Sequence, residues 1–314
     1  MTLGNPERAV GGLAVARPPG VELRPLGRGD FEIALTLVRE LYELPRTDAA
    51  VHRQRFDALI ADVDAVPFLT LAEGHPAGFI VFRLRRRLGR GTYEGWVSDL
   101  YVRAALRGRG IGRALLAAAI AEWRLRGGHR LVLETGRANV AARALYESFG
   151  FRVRGTHFQQ RPLQARGAPA VARRAASADD FKAIQALLGL ASADEERQAA
   201  LTRVLDAHLA RPDVVTWLAE TDGSATGLAA LELRDPFFTV APQGWISDLV
   251  VGEPARGRGL GRALLDAALM EAARRGAYAV VLECEAEAAA TALLTHAGFV
   301  DVGSSYVLER QGPA

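Results

Sequence analysis

WVSDLYVRAALRGRGIGRALL at residues 96–116 and WISDLVVGEPARGRGLGRALL at residues 245–265 are two copies of one sequence segment. The copies lie 149 positions apart (245 − 96 = 149) in a chain of 314 residues, close to half its length. Each contains an apolar run typical of a β-strand, then a loop of arginine and glycine, then the start of a helix. Loops of this kind present backbone N–H groups to an anionic phosphate. The sequence therefore predicts two copies of one phosphate-binding unit.

The similarity between the halves extends well beyond this segment. LRPLGRGDF (Leu23–Phe31) resembles ARRAASADDF (Ala172–Phe181), and each reads as a strand followed by a capped helix. The predicted order in each half is β-α-ββ-β-α-β-α-β. Its later elements are β-hairpins at Pro67–Leu84 and Val214–Leu233, long helices at Gly110–Arg126 and Gly259–Arg275, and buried strands at Arg130–Thr135 and Ala279–Cys284.

Two segments rich in glycine and proline mark the boundaries of these halves. Residues 1–20 are predicted to be a flexible leader, and residues 161–170 form a linker. We therefore expect a first domain at residues 21–163 and a second at residues 171–312.

Composition narrows the class of protein. Apolar residues make up 49% of the chain and charged residues 24%, which suits two globular domains. The net charge of +3 argues against a nucleic-acid partner. Because Cys284 is the one cysteine, no intrachain disulfide can form, and a reducing, cytoplasmic location is expected. No apolar stretch is long enough to span a bilayer, so no membrane partner is expected.

Each half resembles the GNAT superfamily of acyl-CoA-dependent N-acetyltransferases. The family signature, Gln/Arg-x-x-Gly-x-Gly/Ala after the fourth strand, corresponds to RGRGIG at residues 107–112 and RGRGLG at residues 256–261. A second family pattern, Asn-x-x-Ala-x-x-Leu-Tyr-x-x-x-Gly-Phe, runs from Asn139 to Phe151. The resemblance implies an α/β (α+β) fold of two tandem domains. Each domain would be a mixed central sheet flanked by helices, with its fourth and fifth strands splayed apart.

The resemblance also implies that acetyl-CoA is the acyl donor. Its pyrophosphate would lie in the arginine-glycine loop, and its pantetheine arm would pair with the opened edge of the fourth strand. Two alternatives to cofactor binding remain. Asn139 can equally be a helix N-cap, and the arginines can equally form a solvated face that does not contact phosphate. The expected cofactor-binding residues are Leu100, Tyr101, Val102, Arg107, Gly108, Arg109, Gly110, Ile111, Gly112, Arg113 and Asn139, with Leu249, Val250, Val251, Arg256, Gly257, Arg258, Gly259, Leu260, Gly261 and Arg262 in the second half.

The same resemblance places three catalytic candidates in the first half. Tyr146 matches the family tyrosine that protonates the departing thiolate, and its alternative is an aromatic residue of the core. Glu94 starts the fourth strand, where many members carry a base. Asp99 lies within an apolar strand, where it is either the base or a residue that splays the strand at a bulge. No metal ligand set is predicted.

The second half departs from this catalytic pattern. Gln243 stands where the first half has Glu94, Leu294 replaces Tyr146, and Glu287 or a neighbour replaces Asn139. Leucine cannot donate a proton, so the first half is predicted to be catalytic and the second degenerate.

The predicted function is transfer of an acetyl group to a primary amine by direct attack, the acceptor being a small molecule or a protein amine. One alternative is an enzyme like mycothiol synthase, a tandem of this fold in which the second half is catalytic. Another is a sensor that binds acyl-CoA without chemistry. A monomer is favoured because fused halves can pair internally, with a dimer left open.

Overall fold

The computed structural model describes residues 18–42, 49–88, 92–161, 163, 173–190, 195–237, 239, 241–285 and 288–310. Most of the predicted leader and linker, and Glu287, lie outside these described residues. Within the described ranges, no helix combines the length and the apolar character needed to cross a bilayer.

The first half is built from six strands and four helices among its described residues. The strands are β1 (Val21–Pro25), β2 (Ala65–Ala72), β3 (His75–Arg85), β4 (Glu94–Val102), β5 (Arg130–Thr135) and β6 (Arg152–Gln160). The helices are α1 (Phe31–Tyr42), α2 (Ala49–Ala61), α3 (Ile111–Leu125) and α4 (Val140–Ser148).

The second half repeats this order. Its strands are β7 (Arg173–Ala175), β8 (Val214–Thr221), β9 (Ser224–Arg234), β10 (Gln243–Val251), β11 (Ala279–Glu285) and β12 (Val300–Glu309). Its helices are α5 (Phe181–Leu187), α6 (Glu195–Leu209), α7 (Leu260–Arg274) and α8 (Ala288–His296). The predicted order of elements is confirmed except that it lacked one helix in each half, α2 and α6. In α2 only His52, Phe56 and Leu59 are buried, so its apolar signal is weak.

All twelve strands form one continuous sheet, in the order β1-β2-β3-β4-β5-β12-β6-β11-β10-β9-β8-β7. The last strand of each half leaves its own half. β12 pairs with β5 of the first half, and β6 pairs with β11 of the second. β6 and β12 also pair with each other, antiparallel, at the centre of the sheet. Each half therefore completes the sheet of the other.

Hydrophobic clusters cover both faces of this sheet. On one face of the first half, Ile111, Leu115 and Trp123 of α3 pack against Phe82 of β3. On the other face, α1 and α2 pack over strands β2 to β4 through Leu35, Phe56, Leu69 and Phe79. The same cluster contains Phe237 of the second half. Packing between the halves is thus part of the core.

Candidate active site

The fourth and fifth strands of each half separate part-way along their length. The parallel pairing of β4 with β5 ends at Val97 and Leu133, and that of β10 with β11 ends at Trp245 and Val281. A β-bulge at Ser98 interrupts the pairing of β4 with β3 just past this point. The backbone of β4 beyond Val97 therefore faces an opening instead of a neighbouring strand, and the predicted splay is confirmed.

The arginine-glycine loop lies between the open strand and α3. Gly108 and Gly110 have φ of 77° and 82°, a left-handed conformation that favours glycine. The helix begins at Ile111, and its first hydrogen bond runs from the Ala114 N–H to the Gly110 carbonyl, 3.0 Å. The preceding N–H groups at a helix start have no intrahelical acceptor, which suits an anion such as a pyrophosphate.

The loop of the second half has the same shape. Gly257 and Gly259 have φ of 77° and 80°. In both halves the first loop arginine turns back toward the open strand. Arg107 Nε donates to the Val102 carbonyl at 3.0 Å, and Arg256 Nε donates to the Val251 carbonyl at 3.2 Å. These two guanidinium groups brace the turn.

Two other predicted cofactor-binding residues bind neighbouring protein groups. Arg113 donates to Ser148 Oγ at 2.8 Å, which ties α3 to α4. The Asn139 side chain caps α4 by accepting the Ala142 N–H at 3.2 Å. Asn139 therefore fills the helix-cap role that the sequence left open.

A cavity of about 760 Å³ lies between the two halves and borders the opening of the first. Its walls come from α2, from strands β3 to β5, and from β9 and β11 of the second half. Several arginines of this wall are ion-paired, Arg83 with Asp62 at 2.9 Å and Arg234 with Glu232 at 3.2 Å. Asp99 and Glu134 are among the carboxyl groups of the wall that have no arginine at ion-pair distance in the described residues.

Asp99 follows the bulge on the open part of β4. Its Oδ1 accepts the Tyr42 hydroxyl at 2.5 Å, and its Oδ2 accepts the Ser98 hydroxyl at 2.7 Å. Burial raises the pKa of Asp99, and these two hydrogen bonds partly offset the rise. Asp99 thus lies at the bulge, and its carboxyl group lines the cavity.

Glu134 lies on β5, directly after the last residue paired to β4. Its Oε2 accepts the Trp96 indole N–H at 2.9 Å. Its Oε1 is buried, and no hydrogen bond reaches it from the described side chains. The pKa of Glu134 is raised to about 8, mainly by burial and next by the nearby charge of Glu283. A carboxyl group with this pKa exchanges protons near neutral pH.

Glu134 is one of three polar residues that meet beneath the cavity. Donor atoms of Glu134, His157 and Glu283 all lie within 4.8 Å of one another. Such a set is close enough to hold a metal ion, but Arg85 and Arg87 already bind Glu283, at 3.3 and 2.7 Å. Because these guanidinium groups would repel a cation, we interpret the cluster as a site that holds protons.

Glu94 lies apart from the cavity. Its side chain is fully buried and is ion-paired with Arg85 and Arg130, with Arg87 at 3.3 Å. Burial alone would raise the pKa of Glu94, but the three arginines outweigh it and lower the pKa to about 2. A carboxylate held in this way is a poor proton acceptor, so the geometry does not suit the role of base that the sequence predicted.

Tyr146 is buried in the core beneath the opening. Its ring packs against Phe151 at 6.1 Å and against Tyr306 of β12 at 5.8 Å between centroids. The pKa of Tyr146 is raised to about 12, mainly by burial and next by the charge of Glu134. The two roles considered for Tyr146, core aromatic residue and proton donor, are therefore compatible. Its buried hydroxyl lies near the charge of Glu134 and keeps its proton at neutral pH.

A side chain of the first half binds the open strand of the second half. Arg87, from the segment after β3, donates to the Ser247 carbonyl at 2.5 Å. Burial alone would lower the pKa of Arg87, but the charges of Glu94, Glu283 and Asp248, the counterpart of Asp99, outweigh it and raise the pKa. Pro236 occupies the place of Arg87 in the repeat (87 + 149 = 236) and carries no charge. The two openings thus differ in structure as well as in sequence.

Comparison with known proteins identifies the family. Residues 33–151 and residues 181–299 each match the model of the acetyltransferase (GNAT) family. Together these matches cover more than half of the chain. This chain belongs to the GNAT acetyltransferase family. It is a tandem member, with one match in each half.

Two curated acetyltransferases resemble parts of this GNAT protein. A mycothiol acetyltransferase of Beutenbergia cavernae is 39% identical over 122 residues, which are 37% of this chain and 40% of the relative. An aminoglycoside N(6')-acetyltransferase type 1 of Stenotrophomonas maltophilia is 35% identical over 96 residues, 29% of this chain and 63% of the relative. Each match therefore spans less than two thirds of the relative's length.

Solved structures share the whole tandem fold. A GCN5-related N-acetyltransferase from Sphaerobacter thermophilus has a TM-score of 0.61 at 20% identity, covering 95% of this chain and 98% of the other. A tandem GNAT protein from the clavulanic acid biosynthesis pathway has a TM-score of 0.59 at 20% identity, covering 94% and 99%. At these identities the likeness concerns the fold.

Sequence reasoning missed the residues of this GNAT site that come together from distant strands. The sequence predicts Glu134 only as part of the buried strand RLVLET, with no role at the site. A usable signal was present, because an acidic residue in a buried strand is costly and this one recurs as Glu283 in AVVLEC, 149 positions later. Tyr42 and His157 carry no such repeat, and only the fold brings them to the cavity.

Proposed function

We propose that this protein is an acetyl-CoA-dependent N-acetyltransferase whose chemistry takes place in the first half on a primary amine. One observation carries the proposal. At the opening between β4 and β5, the strand edge that leads to the glycine loop borders a cavity that presents Asp99 and Glu134 without arginine partners. At the opening of the second half, Arg87 of the first half instead binds the Ser247 carbonyl.

The donor would be held by backbone groups. The left-handed glycines Gly108 and Gly110 and the start of α3 suit the pyrophosphate, and residues 100–102 on the open strand suit the pantetheine arm. When bound, acetyl-CoA supplies an activated acetyl group as a thioester. The second half keeps the equivalent loop, so we propose that it binds the same nucleotide without chemistry.

The acceptor amine must first lose a proton. An alkyl ammonium group has a pKa of about 10.4, so only a small fraction is neutral at pH 7. Asp99 would hold the ammonium ion, and the ionised form of Glu134, whose pKa is about 8, would take one proton from it. The freed nitrogen lone pair then forms the C–N bond with the acetyl carbon while the C–S bond breaks. Tyr146 donates to the leaving sulfur and relays to it the second proton of the nitrogen, so that the products are an amide and a thiol.

The shape of the cavity supports a small-molecule acceptor. It is enclosed by both halves of the chain, and its volume of about 760 Å³ lies in the range of small-molecule pockets. The two curated relatives are named for mycothiol and for an aminoglycoside, which are also small molecules. Since β6 and β12 complete the sheet within one chain, we propose a monomer as the working unit.

A mycothiol-synthase-like assignment would place the chemistry in the second half. Leu294, which is 2% exposed, has no hydroxyl to protonate a thiolate, and Arg87 places a positive charge at Ser247 on the open strand. Both observations favour chemistry in the first half.

The test is release of free CoA from acetyl-CoA with a panel of small amines, comparing wild type with Glu134→Gln and Tyr146→Phe. We expect each substitution to lower kcat/KM by about 10²–10⁴-fold. Calorimetric affinity for acetyl-CoA should change little. Asp248→Asn, at the counterpart of Asp99 in the second half, is the matched control and should retain full turnover. Binding of acetyl-CoA without CoA release from any amine would instead support the sensor, and undiminished turnover in Glu134→Gln would remove its assigned role.

A further inference from the structure

A carboxyl group of the second half lies within the site of the first. Glu283 of β11 is directly opposite His157 of β6. β6 is the strand of the first half that pairs with the sheet of the second half. Its carboxylate lies within 4.8 Å of donor atoms of Glu134 and His157. We propose that Glu283 is a positioning residue for the acetyl-transfer reaction. It holds Glu134 through a shared proton and so sets the protonation state of Glu134.

The surroundings of Glu283 fix it as the charged member of the pair. Arg87 binds Glu283 Oε2 at 2.7 Å, and the Trp245 indole N–H donates to the same oxygen at 3.3 Å. Arg85 lies 3.3 Å from its Oε1. Burial alone would raise the pKa of Glu283, but Arg85 and Arg87 lower it well below the usual range. Glu283 is therefore the proton acceptor of the pair.

The surroundings of Glu134 make it the protonated member. The described groups that face Glu134 are Trp96 on β4, Arg85 on β3, Glu283 on β11, His157 on β6 and Tyr146 on α4. Trp96 and Arg85 favour its ionised form, whereas burial and Glu283 oppose that form more strongly. Burial lowers the pKa of His157, so its ring is neutral and does not offset the second carboxylate. Two buried carboxyl groups this close together retain one proton between them.

This arrangement explains why the second half keeps Glu283 after losing the tyrosine of its own site. Glu283 is the repeat of Glu134, but it faces the cavity of the first half because β6 and not β12 lies beside β11. The second half would thus supply an electrostatic partner to the working site. The inference rests on the proposed function for its kinetic consequence, whereas the proton shared by the two carboxyl groups would be a property of the free protein.

The experiment uses the full chain and the isosteric substitution Glu283→Gln. Removing the negative charge should lower the pKa of Glu134, so that the acidic limb of the pH profile of kcat/KM moves to lower pH by about one unit or more. The ¹³C carboxyl resonance of Glu134, titrated without substrate or acetyl-CoA, should show the same shift. Glu283→Asp keeps the charge and should restore most of the wild-type midpoint. Glu285→Gln, an exposed position on the same strand, should leave both readouts unchanged.

The two readouts separate failure of this inference from failure of the proposed function. If wild type releases no CoA with any amine, the resonance titration still decides whether Glu283 controls Glu134. A folded Glu283→Gln protein with an unchanged Glu134 midpoint would overturn the inference, even if turnover fell. A lower kcat with no movement of the acidic limb would also overturn it, because a purely structural role predicts that pattern.

Discussion

Leu88 and Phe237 stand 149 positions apart (237 − 88 = 149), and each is buried in the hydrophobic cluster of the opposite half. Leu88 follows β3 of the first half and joins Ile184 and Leu205 of the second. Phe237 follows β9 of the second half and packs against Phe56 of α2 at 5.4 Å between ring centroids. The two halves are therefore joined by reciprocal insertions as well as by the exchanged strands.

The first prediction concerns these insertions. Phe237→Ala should lower the free energy of unfolding by about 3–5 kcal/mol, because it leaves a cavity among the aromatic rings beneath α2. Leu88→Ala should cost about 2–5 kcal/mol for the same reason. Denaturant-induced unfolding of the whole chain measures both. Val63→Ala, at a side chain that is 81% exposed, is the control and should change stability little. Equal effects of all three substitutions would contradict reciprocal packing.

The repeat explains why so much of the fold was predictable. Two copies of a strand, a glycine loop and a helix start define the order of elements. The glycine that precedes each helix is visible in the sequence, and in the structure it has a positive φ. The splay of β4 from β5 came from the family resemblance and was confirmed. The exchange of β6 and β12 was not predictable, because alternation of side chains along a strand specifies its faces and not its neighbour.

The same reason explains what the sequence could not resolve at the site. Glu94 looks like an isolated acidic residue at the start of a strand. Its arginine partners come from β3, from the segment after it, and from β5, and only the sheet register brings them together. The choice between base and structural ion pair therefore depends on contacts that sequence spacing does not record.

The second prediction tests which loop serves the reaction. Gly110→Ala places a side chain at φ of 82°, where it is strained, and its Cβ would come within 3.2 Å of Pro18. We expect a loss of at least about tenfold in acetyl-CoA affinity at the first half and a matching loss of turnover. Gly259→Ala, with φ of 80°, is the matched change in the second half and should spare turnover.

Calorimetry on these two variants also counts the nucleotide sites. If both halves bind acetyl-CoA, each variant should lose one of two sites. Loss of turnover in Gly259→Ala with full activity in Gly110→Ala would show that the assignment of the halves is wrong.

The third prediction concerns the hydroxyl that binds Asp99. Tyr42→Phe removes the 2.5 Å hydrogen bond to Asp99, and because that bond lowers the pKa of Asp99, its loss should raise the pKa further. A larger neutral fraction of Asp99 would hold an ammonium ion less well. We expect KM for the amine to rise several-fold, and by more as the pH is lowered, with little change in kcat. Steady-state kinetics over a range of pH values measures this, and Thr36→Ala on the exposed face of the same helix is the control. A pH-independent effect would count against the proposed contact.

The fourth prediction separates Glu94 from catalysis through stability. The pKa of Glu94 in the folded protein is about 2, against an ordinary value of 4.5. A lowered pKa stabilises the fold at pH values above the unfolded value, and the contribution disappears as the pH falls from about 4.5 toward 2. A shift of this size corresponds to about 3 kcal/mol of unfolding free energy.

Glu94→Gln should therefore be less stable than wild type by about 3–5 kcal/mol at pH 7, because it leaves buried Arg85 without its carboxylate. The difference between the two proteins should shrink as the pH falls below about 4.5, since the wild type then loses the same charge. Comparing the pair cancels the titration of the other carboxyl groups. At 15 °C, where the variant remains folded, kcat should stay within about threefold of wild type. A loss of 10² or more in kcat from a folded Glu94→Gln protein would return Glu94 to the role of base, and the buried arginines would then have to release it during turnover.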